Sequence, residues 1–146
     1  MCVRLVIGLV FLLSGFSYAY QIERTFRVIN TSDSPITVDF DLCNYSSQQK
    51  RYTVCDHYQI WLSGISSSGH YYDIPGGYYD APGNTLYQIL IITRVSNNQV
   101  TTAFKASRTP LDSKRTTSTD VSCTLTDTTS TIVLHETDQR FYCQFF

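Results

Sequence analysis

Apolar and polar residues alternate in short runs along most of the chain, and clusters of turn-forming residues separate the runs. In ITVDFDLC (36–43), Val38, Phe40 and Leu42 fall on one side of an extended backbone, and Thr37, Asp39 and Asp41 on the other. Successive side chains of a strand point to opposite faces, so this run predicts a half-buried strand with a wet side. RYTVCDHYQIWL (51–62) alternates in the same way. Its even positions Tyr52, Val54, Tyr58, Ile60 and Leu62 make an apolar face broken by Asp56, and its odd positions are Thr53, Cys55, His57, Gln59 and Trp61. LYQILIITRV (86–95) is apolar on both faces, the pattern of a central strand.

Five further runs, ERTFRVIN (23–30), QVTTAFKA (99–106), VSCTLTD (121–127), STIVLHE (130–136) and RFYCQFF (140–146), complete eight predicted strands. Their spacing predicts an all-β fold, an antiparallel β-sandwich of about eight strands. Residues 107–131 are rich in Ser and Thr, with Lys114 and Arg115 in the middle, and read as a long surface loop. Beyond the first twenty residues no segment has helical periodicity.

Residues 70–84, HYYDIPGGYYDAPGN, contain two heptads that match at Tyr-Tyr-Asp-x-Pro-Gly. Proline fixes φ and glycine accepts positive φ, so Pro75-Gly76 and Pro82-Gly83 predict two type II turns. The expected result is a folded surface excursion with one or two short extended pieces, joining the Trp61 strand to the Leu86 strand. It carries Tyr71, Tyr72, Tyr78 and Tyr79 beside His70, Asp73 and Asp80. Tyrosine offers a large amphipathic contact area at low rotamer cost, which suits sugars and protein surfaces. The plainer reading is structural, with one tyrosine of each pair facing the core.

The start of the chain adds compartment. Arg4, the apolar run Leu5–Leu13 and Ser17-Tyr18-Ala19 have the three parts of a secretory signal. Tyr20 stands where a lipoprotein signal needs cysteine. The expectation is a leader over 1–19 and a single exported domain over 20–146, secreted or periplasmic, with no stable membrane insertion. Cleavage removes Cys2 and leaves Cys43, Cys55, Cys123 and Cys143, an even number that predicts two disulfides. Of three possible pairings, Cys43–Cys55 and Cys123–Cys143 are favoured, because each flanks a strand-to-strand connection. A metal site is disfavoured by the absence of Cys-x-x-Cys, and no cofactor is expected.

Eleven Lys and Arg, one of them Arg4, stand against twelve Asp and Glu, which gives no support to a nucleic-acid partner. No phosphate-cradling loop or nucleophile elbow is present. His57 follows Asp56, but neighbours on a strand face opposite ways and should not form a dyad. His70 could meet Asp73 at the heptad loop. A hydrolase using Asp73 and Asp80, or a calcium site of such carboxylates, is the weaker possibility, since Asp at turns usually serves the turn.

Trp61 shares its face with His57 and Gln59. Tryptophan is buried on average, so packing against a second layer is the favoured expectation and a stacking platform the functional one. Two sequons, at Asn30 and Asn44, would matter only in a eukaryotic source. The functional expectation is a secreted non-enzymatic binding module for a carbohydrate or protein, using the Tyr-rich loop and the Trp61 face. The alternative is a pilus-like or surface assembly subunit pairing through edge strands.

Overall fold

A computed structural model describes residues 20–81, 83–105, 123–125 and 131–146, with the side chains of 20–23 and 78–81 excepted. The expected leader and most of the Ser/Thr-rich stretch lie outside these residues. The described residues form nine strands: β1 (Tyr20–Asn30), β2 (Ile36–Ser46), β3 (Arg51–Leu62), β4 (Tyr71–Ala81), β5 (Asn84–Ser96), β6 (Thr101–Ala103), β7 (Cys123–Leu125), β8 (Thr131–Thr137) and β9 (Arg140–Phe145). Eight of them fall within or over the runs predicted from alternation, and β4 comes from the heptads.

Hydrogen bonds follow the order β3-β2-β5-β4-β1-β8-β9, with β6 and β7 also on β5. One edge of β5 pairs with β2 from Leu86 to Ser96. Its other edge meets β4, β7 and β6 in succession. β4 pairs with β5 only from Tyr78 to Ala81, but with β1 from Tyr71 to Asp80. The path therefore folds over into two layers, β3-β2-β5 with β6 and β7, and β4-β1-β8-β9. The expected sandwich is observed, with one parallel pair, β1 and β8, among otherwise antiparallel neighbours.

The core lies between the layers. Val38, Phe40, Leu90, Ile92 and Leu125 face Phe26, Val28, Ile132, Leu134 and Phe141 in one buried cluster. Both predicted disulfides form. Cys123–Cys143 ties β7 of one layer to β9 of the other, and the Phe141 N–H donates to Thr102 Oγ1 at 2.9 Å beside it. Cys43–Cys55 joins directly opposed residues of β2 and β3. Two disulfides fit an oxidising, extracellular type of environment. Among the described residues no helix is long and apolar enough to cross a membrane.

The heptad region departs from its prediction. It is one continuous strand through Pro75, Gly76 and Gly77, and the described turn lies at Gly83, whose φ is 79°. Pro75 is tolerated because this part of β4 has one neighbour, β1, and a proline can sit where its nitrogen faces away from the ladder. Gly76 is needed for space. A Cβ there would lie 2.4 Å from Phe26 Cε2, so the phenyl ring packs directly on the glycine backbone.

The β3 strand also departs. Leu62 is buried and Ile60 packs on the core, but Val54 and Tyr58 on the same face are exposed. The expected burial of Trp61 is overturned: it is 63% exposed. β3 is an edge strand, with β2 as its neighbour among the described residues, so most of its length has no layer above or below it.

Candidate functional site

Strand alternation places Thr37, Asp39 and Asp41 of β2 on the outward face, and register sets Trp61, Gln59 and His57 of β3 opposite them in turn. The polar pairs close across the strands. Gln59 Nε2 donates to Asp39 Oδ1 at 2.7 Å, and His57 Nδ1 donates to Asp41 Oδ1 at 2.9 Å. Because a carboxylate only accepts, this contact assigns the His57 proton to Nδ1. His57 thus pairs with Asp41 and not with adjacent Asp56.

From β5, Arg94 closes the other side of Asp39, its Nε donating to Oδ2. A bulge makes this possible. Asp39 opposes Arg94 while Phe40 opposes Ile92, so Thr93 is the extra residue and its hydroxyl donates to the Asp39 carbonyl at 3.1 Å. Without it, Arg94 would share the inward face of Leu90 and Ile92. The extra residue turns Arg94 outward and Val95 inward.

The Asp39 side chain is only 4% exposed between these partners. Burial alone would push its carboxyl up, but hydrogen bonds from Gln59 and Arg94, with the guanidinium charge, hold it below the ordinary carboxylate range. Asp39 is therefore an ionised post that fixes Gln59 and Arg94, and through Gln59 the backbone that carries Trp61.

Beside this ladder a cavity of 500 Å³ opens at the end of the layer. Trp61 stands at it with Ser34, Pro35, Thr37, Ser96, Asn97, Asn98 and Gln99. None of these carries a charge. Asn97 is structural: its Oδ1 accepts from the N–H groups of Gln99 and Val100, and its Nδ2 donates to Glu136. Asn30 shapes the opposite rim. Its buried side chain donates to the carbonyls of Ser34 and Ser63 and accepts from the N–H and hydroxyl of Ser32. The Asn30 sequon is thus closed in the folded protein, at 0% exposure.

The remaining predicted residues form a separate group in the other layer. Arg27 of β1 makes two hydrogen bonds to Asp73, at 2.7 and 2.8 Å, and lies 4.8 Å from the Tyr71 ring centroid. The bonded guanidinium holds the Asp73 carboxyl below its usual range. His70 Nδ1 donates to the Ser67 carbonyl at 2.7 Å and its ring meets Tyr71 edge-on. His70 and Asp73 therefore hold different partners. Tyr72 is exposed on the face that carries Val28. Tyr78, Tyr79 and Asp80 belong to β4, and their side chains lie outside the described residues. Among the described residues no three His, Cys, Asp or Glu side chains come together as ion ligands.

The sequence reading found Trp61, Gln59 and His57 but not Asp39 and Arg94 as their supports, nor Ser96 and Asn97–Gln99 as walls. The wet side of β2 was visible in ITVDFDLC. Which strand lay opposite it was not. No family model, curated protein or solved structure matches the chain.

Proposed function

We propose that the protein is an exported, non-enzymatic binding module that takes a neutral carbohydrate at the Trp61 cavity. The observation that carries this reading is an exposed indole, fixed on a strand, at a cavity whose other walls are uncharged hydroxyls, amides and a proline. A pyranose ring has an apolar C–H face and a rim of hydroxyls. The indole face suits the first, and Thr37, Ser96, Asn98 and Gln99 suit the second. Among the described residues these four side chains hold no hydrogen bond to other protein groups, so their donors and acceptors are open to a ligand. A wall without cationic groups supplies no countercharge to a phosphate or carboxylate, which favours neutral sugars over charged ligands.

The tyrosine-rich β4 is a weaker candidate than its composition implied. Tyr71 is engaged by Arg27 and His70, and Asp73 is engaged by Arg27. A carboxylate locked to a guanidinium is a poor general acid, which speaks against a hydrolase built on Asp73.

A glycan array probed with the protein and with Trp61→Ala tests the proposal. The expected outcome is a set of neutral oligosaccharides whose affinity falls about thirtyfold or more on truncation, as for an aromatic anchor. Because Trp61 is exposed, the melting temperature should stay within a degree or two of the parent. Equal glycan binding by both proteins would remove the cavity as the site.

A further inference from the structure

β3 is the longest open edge of the described fold, and its protective features, the Thr53 irregularity and the charge of Asp56, stand in its first half, which leaves His57–Leu62 without any. Natural sheets blunt their edges with proline, lysine, bulges or short strands, because unpaired N–H and C=O groups template pairing with another chain. The part of β4 that leaves β5 carries Pro75, Gly76 and Gly77. β6 and β7 are three residues each, and β9 abuts β6 through the Phe141 to Thr102 hydrogen bond. β3 runs twelve residues with no proline, glycine or lysine. Its ladder with β2 has one irregularity, at Thr53, and is regular from Val54 to Leu62. Three of the seven large apolar side chains exposed among the described residues, Val54, Tyr58 and Trp61, lie on this strand.

The pair Cys43 and Cys55 fixes which peptide groups face outward. Their Cα atoms are 4.1 Å apart. Opposed residues of an antiparallel pair lie about 4.5 Å apart when they do not exchange hydrogen bonds and about 5.5 Å when they do. Cys55 is therefore in a non-bonded pair, and its N–H and C=O point away from β2. By alternation the same holds for His57, Gln59 and Trp61. These four residues present a row of open backbone donors and acceptors.

We propose that a second copy of this chain pairs with β3 antiparallel, about a two-fold axis at Tyr58. This register overlaps all of Val54–Leu62 and sets Cys55 against Trp61 and His57 against Gln59, so that each outward peptide group meets another. Tyr58, 46% exposed and stacked on Phe40 at 5.5 Å, faces its own symmetry mate in a close, non-bonded pair. Moving the axis to His57 sets imidazole against imidazole and carries the pairing into the Thr53 irregularity. Moving it to Asp56 sets carboxylate against carboxylate. Full overlap of the regular Val54–Leu62 segment, whose midpoint is Tyr58, together with the absence of like-charge pairs selects this axis, and that two-fold self-match favours a second copy over an unrelated strand. The contact is isologous and closes at two subunits, and no second unprotected edge in the described fold is left to extend it. The axis is perpendicular to the sheet, so both Trp61 side chains open on one side of the dimer. They stand six residues apart along the pairing, roughly 20 Å. The dimer does not depend on what the Trp61 cavity binds.

Sedimentation velocity on the oxidised protein, with Tyr58→Lys, Tyr58→Glu and a mixture of the two, tests the inference. The parent should sediment at twice the chain mass, each variant alone at the chain mass, and the mixture again at twice. A parent that stays monomeric at high micromolar concentration overturns the proposal, as does a dimer that survives both substitutions. Loss without rescue in the mixture overturns the register. Amide exchange of the parent reads the same contact without any substitution. The Cys55, His57, Gln59 and Trp61 amides should exchange more slowly as concentration rises, and concentration-independent exchange at all four contradicts the pairing.

Discussion

At the scale of single residues, the side chains that matter most are those whose roles depend on a neighbour far along the chain. Asn30 lay in a sequon and reads as a surface residue by type, yet it is buried and holds four polar partners around the rim of the cavity. Asn30→Ala removes all four of these part-buried hydrogen bonds and should cost about 1–3 kcal/mol, read by urea denaturation. A change below about 0.5 kcal/mol would show that the rim tolerates its loss. Asp39 gives a pH signature. Its carboxyl is held below the ordinary value of 3.8, so the ionised folded form is favoured above that pH. That contribution disappears as pH falls through the lower folded value. Asp73, held down by Arg27, acts in the same direction. Stability should therefore drop below about pH 4, and Asp39→Asn should make the drop shallower in melting curves across pH 2–6. An unchanged acid limb would mean that Asp39 is not ionised among its partners. That Asp39 sits on a wet side was legible from ITVDFDLC. Arg94 was not, because strict alternation assigns it to the core face and only the Thr93 bulge turns it outward.

At the scale of elements, eight strands were legible because period-two alternation and turn clusters are local signals. The heptads misled for a physical reason. Pro-Gly is a strong turn signal, but both residues are also accepted on an edge strand when the nitrogen faces outward and a neighbour needs room. In the second pair Gly83 turns, in the left-handed region, while the first pair is held extended by β1 on one side and by Phe26 on Gly76. Seven is an odd spacing, so positions 72 and 79 cannot be equivalent along one continuous strand. Gly76→Ala should cost about 1–3 kcal/mol through overpacking against Phe26. Combining it with Phe26→Leu should recover part of that cost in thermal denaturation. A turn glycine would behave differently, since trimming Phe26 could not relieve backbone strain. The exposure of Trp61 was missed for a related reason. Alternation reports which residues share a face, but not whether the strand is central or at an edge.

At the scale of the molecule, the fold supplies a rigid outward face and a closed set of supports beneath it. The two disulfides act at different places: Cys123–Cys143 locks the layers together, and Cys43–Cys55 clamps β3 to β2 on the face that carries Trp61. The His57 contact to Asp41, and then the Gln59 and Arg94 contacts to Asp39, carry that rigidity along the ladder to the rung before Trp61. The proposed sugar site would then be preorganised, and its affinity should depend on the indole and the open amides more than on any closure of the chain. The sandwich and its disulfides were legible in the sequence. The cavity was not, because its walls come from three separate turns and strands that only the register brings together. The chain holds one tryptophan, so its fluorescence reports on the cavity and nothing else. The most direct measurement is therefore acrylamide quenching of Trp61 during titration with a panel of neutral oligosaccharides. The account predicts red-shifted, freely quenched emission in the unliganded protein, and a saturable blue shift with loss of quenching when a sugar stacks on the indole. Emission and quenching that no sugar in the panel alters would contradict it.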